Sequence, residues 1–283
     1  MDSIVRAMNE LNRIDMFVDL AHRGLRFATQ AKRARDWLDK FGKFVGEEEE
    51  ATSPDLREAQ NLQAIRLEEF ANEQIAQGFP YLFTVMTTRL WSVVELLVDE
   101  IVAERLKDPN TWSRPETIYS IKGGLVEFAS LNKDDQANYL TLELQQSSHS
   151  ALKLGVGQFE AMLDIVGCGG SVPDEVRRVL LELQQVRHVS SHRAGLVDRK
   201  LLKVCPWITC DFGTPIRLSL SHYHVYSAAT TWYVMELAIR TASPERKEYI
   251  QDSKDVQNAT LNTLQSLGST RWCTDESESN DAG

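Results

Sequence analysis

The stretch PYLFTVMTTRLWSVVELLVDEIVAERL, residues 80–106, limits the fold more than any other part of the chain. It opens on a proline, which suits the first turn of a helix, and its apolar residues cover more than one face. A helix of that kind has to lie centrally, with other elements packed around it. Arg89, Glu95, Asp99 and Glu100 interrupt the run, whereas a membrane span needs roughly 20 mostly apolar residues. The stretch is therefore predicted as a core helix, and no membrane is expected.

The rest of the chain is mostly helical in its periodicity. Ile4, Met8, Leu11, Ile14, Val18, Ala21, Leu25 and Ala28 recur at steps of three or four, so the first 43 residues are predicted to form one long amphipathic helix. Its later part is basic through Arg23, Arg26, Lys32, Arg33 and Arg35. Residues 46–54, with EEEE followed by ATSP, break the pattern and make a connector. A second helix follows Pro54 and stops near Gly78. Beyond the central helix, further helices are expected over residues 116–130, weakened by Gly123 and Gly124, over 148–166, ending at Gly167 or Gly169, and over 172–191. Residues 133–144 stay ambiguous. WITCDF, GTP and IRLSLS alternate around a Gly/Pro turn and predict a short β-hairpin, before a last helix over 221–241. From Glu248 onward the chain is polar and its last ten residues hold four acids and no base, a composition that predicts disorder. The expected fold is all-α, with one short β-hairpin before the last helix. Its division is an N-terminal helical arm and acidic connector over 1–52, a helical domain over 53–245, and an acidic tail over 246–283.

Composition narrows the function classes. The four cysteines are scattered, with no CxxC pair, which fits a reducing compartment better than a disulfide framework or a zinc ribbon. MDSIVRAMNE holds acids and no apolar core of a signal peptide, so a cytoplasmic location is expected. The net charge of −10 argues against a protein that coats nucleic acid by charge alone. Residues 171–204, however, carry seven Lys/Arg against four Asp/Glu, enough to bind a phosphate locally.

Within that basic segment, residues 184–198 read QQVRHVSSHRAGLVD. Two of the six histidines in the chain, His188 and His192, fall within five positions, beside Arg187. Three readings are open. Structurally, cationic side chains suit the C-terminal end of a helix dipole. As a metal site, His188 and His192 form an i, i+4 pair that Cys205, Cys210, His222 or His224 would complete, although the HExxH pattern is missing. As a catalytic site, the residues fit acid–base cleavage of RNA, whose 2′-hydroxyl is its own nucleophile. Histidine moves protons near neutral pH, and the arginine fork holds two phosphate oxygens; no metal and no cofactor is needed. In a regular helix Arg187 and His192 lie five apart, about 140° around the axis. They can meet at one phosphate if the helix ends or unwinds near Ser190 and Ser191, or if the two residues come from opposite subunits of a symmetric dimer.

Arg187, the polar His188, three residues, His192 and then RAGLVDRKLL resemble the signature of the HEPN superfamily. In that family an Arg, four to six residues and a His close the third helix of a small four-helix bundle. The similarity covers about residues 78–242, and His192 to Asp198 resembles the HNxGxVD run of one bacterial branch, with Arg193 in place of the Asn. The resemblance implies a metal-independent endoribonuclease acting as a homodimer, often as a toxin or in antiphage abortive infection, with RNA as substrate and an antitoxin or defence-system protein as partner. It implies His192 as general base or acid, Arg187 as the phosphate clamp and His188 as a polar helper. Arg193, Arg199 and Lys200 become candidates for gripping the RNA backbone, and Glu95 a candidate for orienting Arg187. Other members of the family cut nothing and serve as nucleotide-binding or assembly modules in defence or repair complexes, which is the competing expectation.

Overall fold

The computed structural model describes residues 2–45, 54–122, 124–146, 153–243 and 245–267. Among the described residues there is no strand, and most of them lie in helices. The helices are α1 (Asp2–Ala28), α2 (Ala31–Val45), α3 (Pro54–Ala76), α4 (Pro80–Leu106), α5 (Pro115–Tyr119), α6 (Leu125–Ser130), α7 (Lys133–Gln146), α8 (Val156–Ile165), α9 (Asp174–His192), α10 (Arg199–Val204), α11 (Leu220–Thr241) and α12 (Lys247–Leu267). They fall into two compact units. One takes Met1–Ile14, Met86–Ile216 and Ser221–Gly283; the other takes Asp15–Val85 and Arg217–Leu220. The boundary departs from the expected arm over 1–52, because Ile4, Ala7, Leu11 and Ile14 are buried and belong to the larger unit.

The larger unit is built on α4. Trp91 of α4 stacks on Phe159 of α8 with ring centroids 5.0 Å apart, and Phe159 stacks in turn on Tyr233 of α11 at 6.4 Å. Arg240 of α11 donates from Nη1 to both carboxylate oxygens of Glu160 at 2.9 Å, and from Nε to Glu236 at 2.9 Å. The Tyr233 hydroxyl donates to Glu160 at 2.7 Å, so this carboxylate ties α8 to α11 inside the apolar layer. At its start, α1 joins α4 through Arg89, which reaches Glu10 at 2.7 Å, and Glu100, which accepts from Arg6. By length and composition α4 could cross a membrane, yet half of its apolar window is buried within the protein. It is the expected core helix.

In the smaller unit, α2 and α3 are joined by Arg35, whose Nη2 donates to Gln60. His22 of α1 meets Phe79 edge-on at 4.4 Å.

Four expectations are corrected. The N-terminal helix is broken at Thr29 and Gln30, where the Thr29 hydroxyl takes the Arg26 carbonyl at 2.8 Å and Gln30 N–H turns to Phe27 O at 3.0 Å. Residues 116–130 form two short helices, α5 and α6, rather than one. The β-hairpin is absent. Instead of the two arms pairing, the turn folds back on the segment after His192: Gly213 N–H donates to Val197 O at 2.9 Å, Val197 N–H to Thr214 O at 2.9 Å and Ile216 N–H to Gly195 O at 2.8 Å. A single antiparallel bridge joins Leu196 to Pro215. Pro206 and Pro215 have no N–H to give a ladder. Finally, residues 247–267 of the expected disordered tail form α12, while residues 268–283 lie outside the described part. The inward positions of α12 include Ser253, Gln257 and Thr260, and Gln257 donates to Glu236 at 2.6 Å. That polar stripe hid the helix from a search for apolar spacing.

Candidate functional site

The site begins with the two buried faces of α9. Val176, Leu180 and Leu183 are fully buried along one line, and Arg187 is the next position on it. A charged side chain on a packed stripe needs a partner, and α4 supplies it: Arg187 Nη2 lies 3.2 Å from Glu95 Oε2, with Arg187 about one-third exposed. Glu95, expected from the sequence as a candidate orienting acid, forms this ion pair. The Arg187 Nε–H and the Ser190 hydroxyl are buried with no protein partner, an uncommon condition for buried polar atoms.

One turn on, the His188 and His192 rings face each other with centroids 5.1 Å apart. Burial pushes the His188 imidazole below its ordinary pKa, helped by Lys200 and His192; Arg193 adds a small push, and Asp198 pulls the other way. His192 is exposed on the last residue of the helix. The helix stays regular to that point, so it does not unwind at Ser190 and Ser191. Arg187 and His192 of one chain therefore stand about 140° apart around the axis. The first of the two routes left open by the sequence, a helix that unwinds before His192, is not taken.

The helix then stops abruptly. Ala194 and Gly195 both take left-handed backbone, at φ 52° and 76°, and Gly195 N–H reaches back to Val189 O at 3.0 Å. Glycine accepts such a conformation freely and alanine does not. Asp198 then caps α10, accepting from Leu201 N–H at 2.7 Å, and lies 3.9 Å from Arg193. Arg193, Arg199 and Lys200 are all exposed on this face. The Arg199 guanidinium sits over the ring of Phe212, 5.4 Å from its centroid.

Sequence reading missed several contributors. Glu182 is buried, accepting from the Tyr226 hydroxyl at 2.8 Å and from the Trp207 indole N–H. It fixes α9 against α11 below the site, and burial beside this carboxylate pushes the Tyr226 hydroxyl well up. Asp99, one turn along α4 from Glu95, has its carboxyl raised to about 6, chiefly by burial; the Gln145 amide that donates to it at 2.6 Å opposes the shift, and Glu95 and Glu100 add to it. Neither had a signal in the sequence beyond an acid among apolar residues. Among the described residues, no group of three or more His, Cys, Asp or Glu is placed to hold a metal ion. Cys205, one of the residues that would complete such a site, is buried, with its thiol pushed up to about 12 by burial and by Glu182.

A scan of protein-family models and searches of curated proteins and of solved structures found no match to the chain.

Proposed function

We propose that the chain is a metal-independent endoribonuclease working as a homodimer in the cytoplasm, in toxin-like or antiphage defence. The observation that carries this reading is the Glu95–Arg187 ion pair at the end of the helix that also presents His188 and His192. The pair holds a permanent cation in a fixed place, and the arginine keeps an unpartnered N–H. The order of α4, α8, α9 and α11 supports the HEPN-like reading as well.

In the proposed reaction the 2′-oxygen of RNA attacks the adjacent phosphorus and the 5′-oxygen leaves. His192 takes the 2′ proton, and a second acid, the other chain's copy of the same imidazole, returns one to the leaving oxygen. Arg187 meets the charge that grows on the phosphoryl oxygens. Burial favours the neutral form of His188, which can accept or donate a hydrogen bond without adding charge. Exposed Arg193, Arg199 and Lys200 are the residues available to contact the flanking backbone.

The experiment is cleavage of an end-labelled RNA pool in EDTA by the wild type, Arg187→Ala and His192→Ala. Cleavage by the wild type that leaves a 2′,3′-cyclic phosphate, with a drop of about 100-fold or more in each variant, is the expected result. A folded dimer that binds RNA or nucleotides and cuts neither labelled pool nor structured RNA would replace this reading with that of a binding or assembly module.

A further inference from the structure

Helix α2 has an unusual inside and outside. Its Arg35 is part-buried and bonds Gln60, and exposed Lys32 and Asp36 line a cleft with Glu68 and Asn72 of α3. Its large apolar residues are exposed. Trp37 is 59% exposed, Leu38 59%, Phe41 49% and Phe44 88%. Trp37, Phe41 and Phe44 follow one another at steps of four and three, on one face, and the Trp37 and Phe41 rings stack at 5.1 Å. Exposed Arg33 and Lys40 border one edge of that face, about 20° and 40° from Phe44 on the helical wheel. The helix as a whole has five Lys/Arg against two Asp, in a chain whose net charge is −10.

We infer that α2 is a surface anchor for anionic lipid, lying flat with Trp37, Phe41 and Phe44 among the acyl chains and its bases at the headgroups. An apolar face rich in Trp and Phe, bordered by bases on a short helix, has the make-up of an interfacial membrane helix. Charge decides against a second copy of the chain as occupant: a two-fold interface would set this basic face against itself. It also decides against a neutral bilayer, which would leave Arg33 and Lys40 unused. The sequence led us to expect no membrane because no segment spans one; lying on a surface requires no span. This assignment stands independently of the ribonuclease reading.

The test uses the full chain with large vesicles of phosphatidylcholine alone and of phosphatidylcholine with about 30% phosphatidylglycerol. Sedimentation is expected to carry the wild type down with the anionic vesicles only, and less so as salt rises. Phe41→Glu with Phe44→Glu should lower partitioning tenfold or more, and Lys40→Gln about five-fold; both changes are at exposed positions, and circular dichroism checks that the helices remain. Equal binding to both vesicle types, or none by the folded wild type, overturns the assignment. So does a dimer that Phe41→Glu converts to monomer, which would make the face a subunit interface.

Discussion

At the residue scale, environment decides what each acid and base can do. Asp99 and Glu95 are four apart on α4, yet Glu95 is paired with Arg187 while Asp99 is half-buried with only an amide for company. The Asp99 carboxyl is raised from an ordinary value of 3.8 to about 6. A carboxyl raised by folding contributes stability that is fully present below the unfolded pKa and is lost as pH rises through the folded one. Asp99→Asn should therefore stabilise the protein by about 2 kcal/mol at pH 7.5 and change little near pH 4, as read by urea denaturation at the two values. An equal effect at both would mean that Asp99 is already ionised in the folded state. His188 runs the other way: its lowered pKa gives stability present above the unfolded value and lost as pH falls through the folded one.

At the element scale, the end of α9 matters more than its middle. Apolar spacing located the helix and Gly195 marked its stop, both readable because they are local. That the helix would remain regular through His192 was not readable, since it depends on the left-handed pair Ala194–Gly195 and on the strand-like bonds from Gly213 and Ile216. A methyl group on Gly195 would meet nothing within 4 Å, so Gly195→Ala isolates the backbone cost. It should destabilise the protein by about 1–2 kcal/mol, whereas Ala194→Gly should be neutral or stabilising by roughly 0.5 kcal/mol after the larger entropy of the unfolded chain is counted. Chemical denaturation measures both. The missing hairpin has the same lesson: WITCDF and IRLSLS alternate, but the turn between them bonds 16 or more residues back, at Gly195–Val197.

At the scale of the whole molecule, the proposed reaction draws its residues from two chains, and within one chain Arg187 and His192 stand about 140° apart on a regular helix. Because both copies of His192 move protons in the proposed reaction, mixing wild type with an equal amount of His192→Ala under free subunit exchange should leave about half of the starting cleavage, from the roughly one dimer in four that keeps both imidazoles. Cleavage undiminished by mixing, with exchange shown by tagged subunits, would place the site within one chain. The expected N-terminal arm also changes meaning at this scale: cutting at residue 52 would remove Ile4, Ala7, Leu11 and Ile14 from the core of the larger unit, so a test of α2 has to be made by point substitution.

What the sequence determined by itself is whatever is written within a few turns of chain: the all-α class, the central place of residues 80–106, the Arg187–His192 motif on one helix and the glycine that ends it. Periodicity and caps are local, and they show directly in residue order. Only the tertiary structure decided that Glu95 meets Arg187, that Glu182 lies buried under Tyr226 and Trp207, that a polar stripe folds α12 and that the aromatic face of α2 stays in solvent. Each of these depends on which distant surface covers a side chain, and an acid, a glutamine or a tryptophan reads the same along the chain whether it is covered or not.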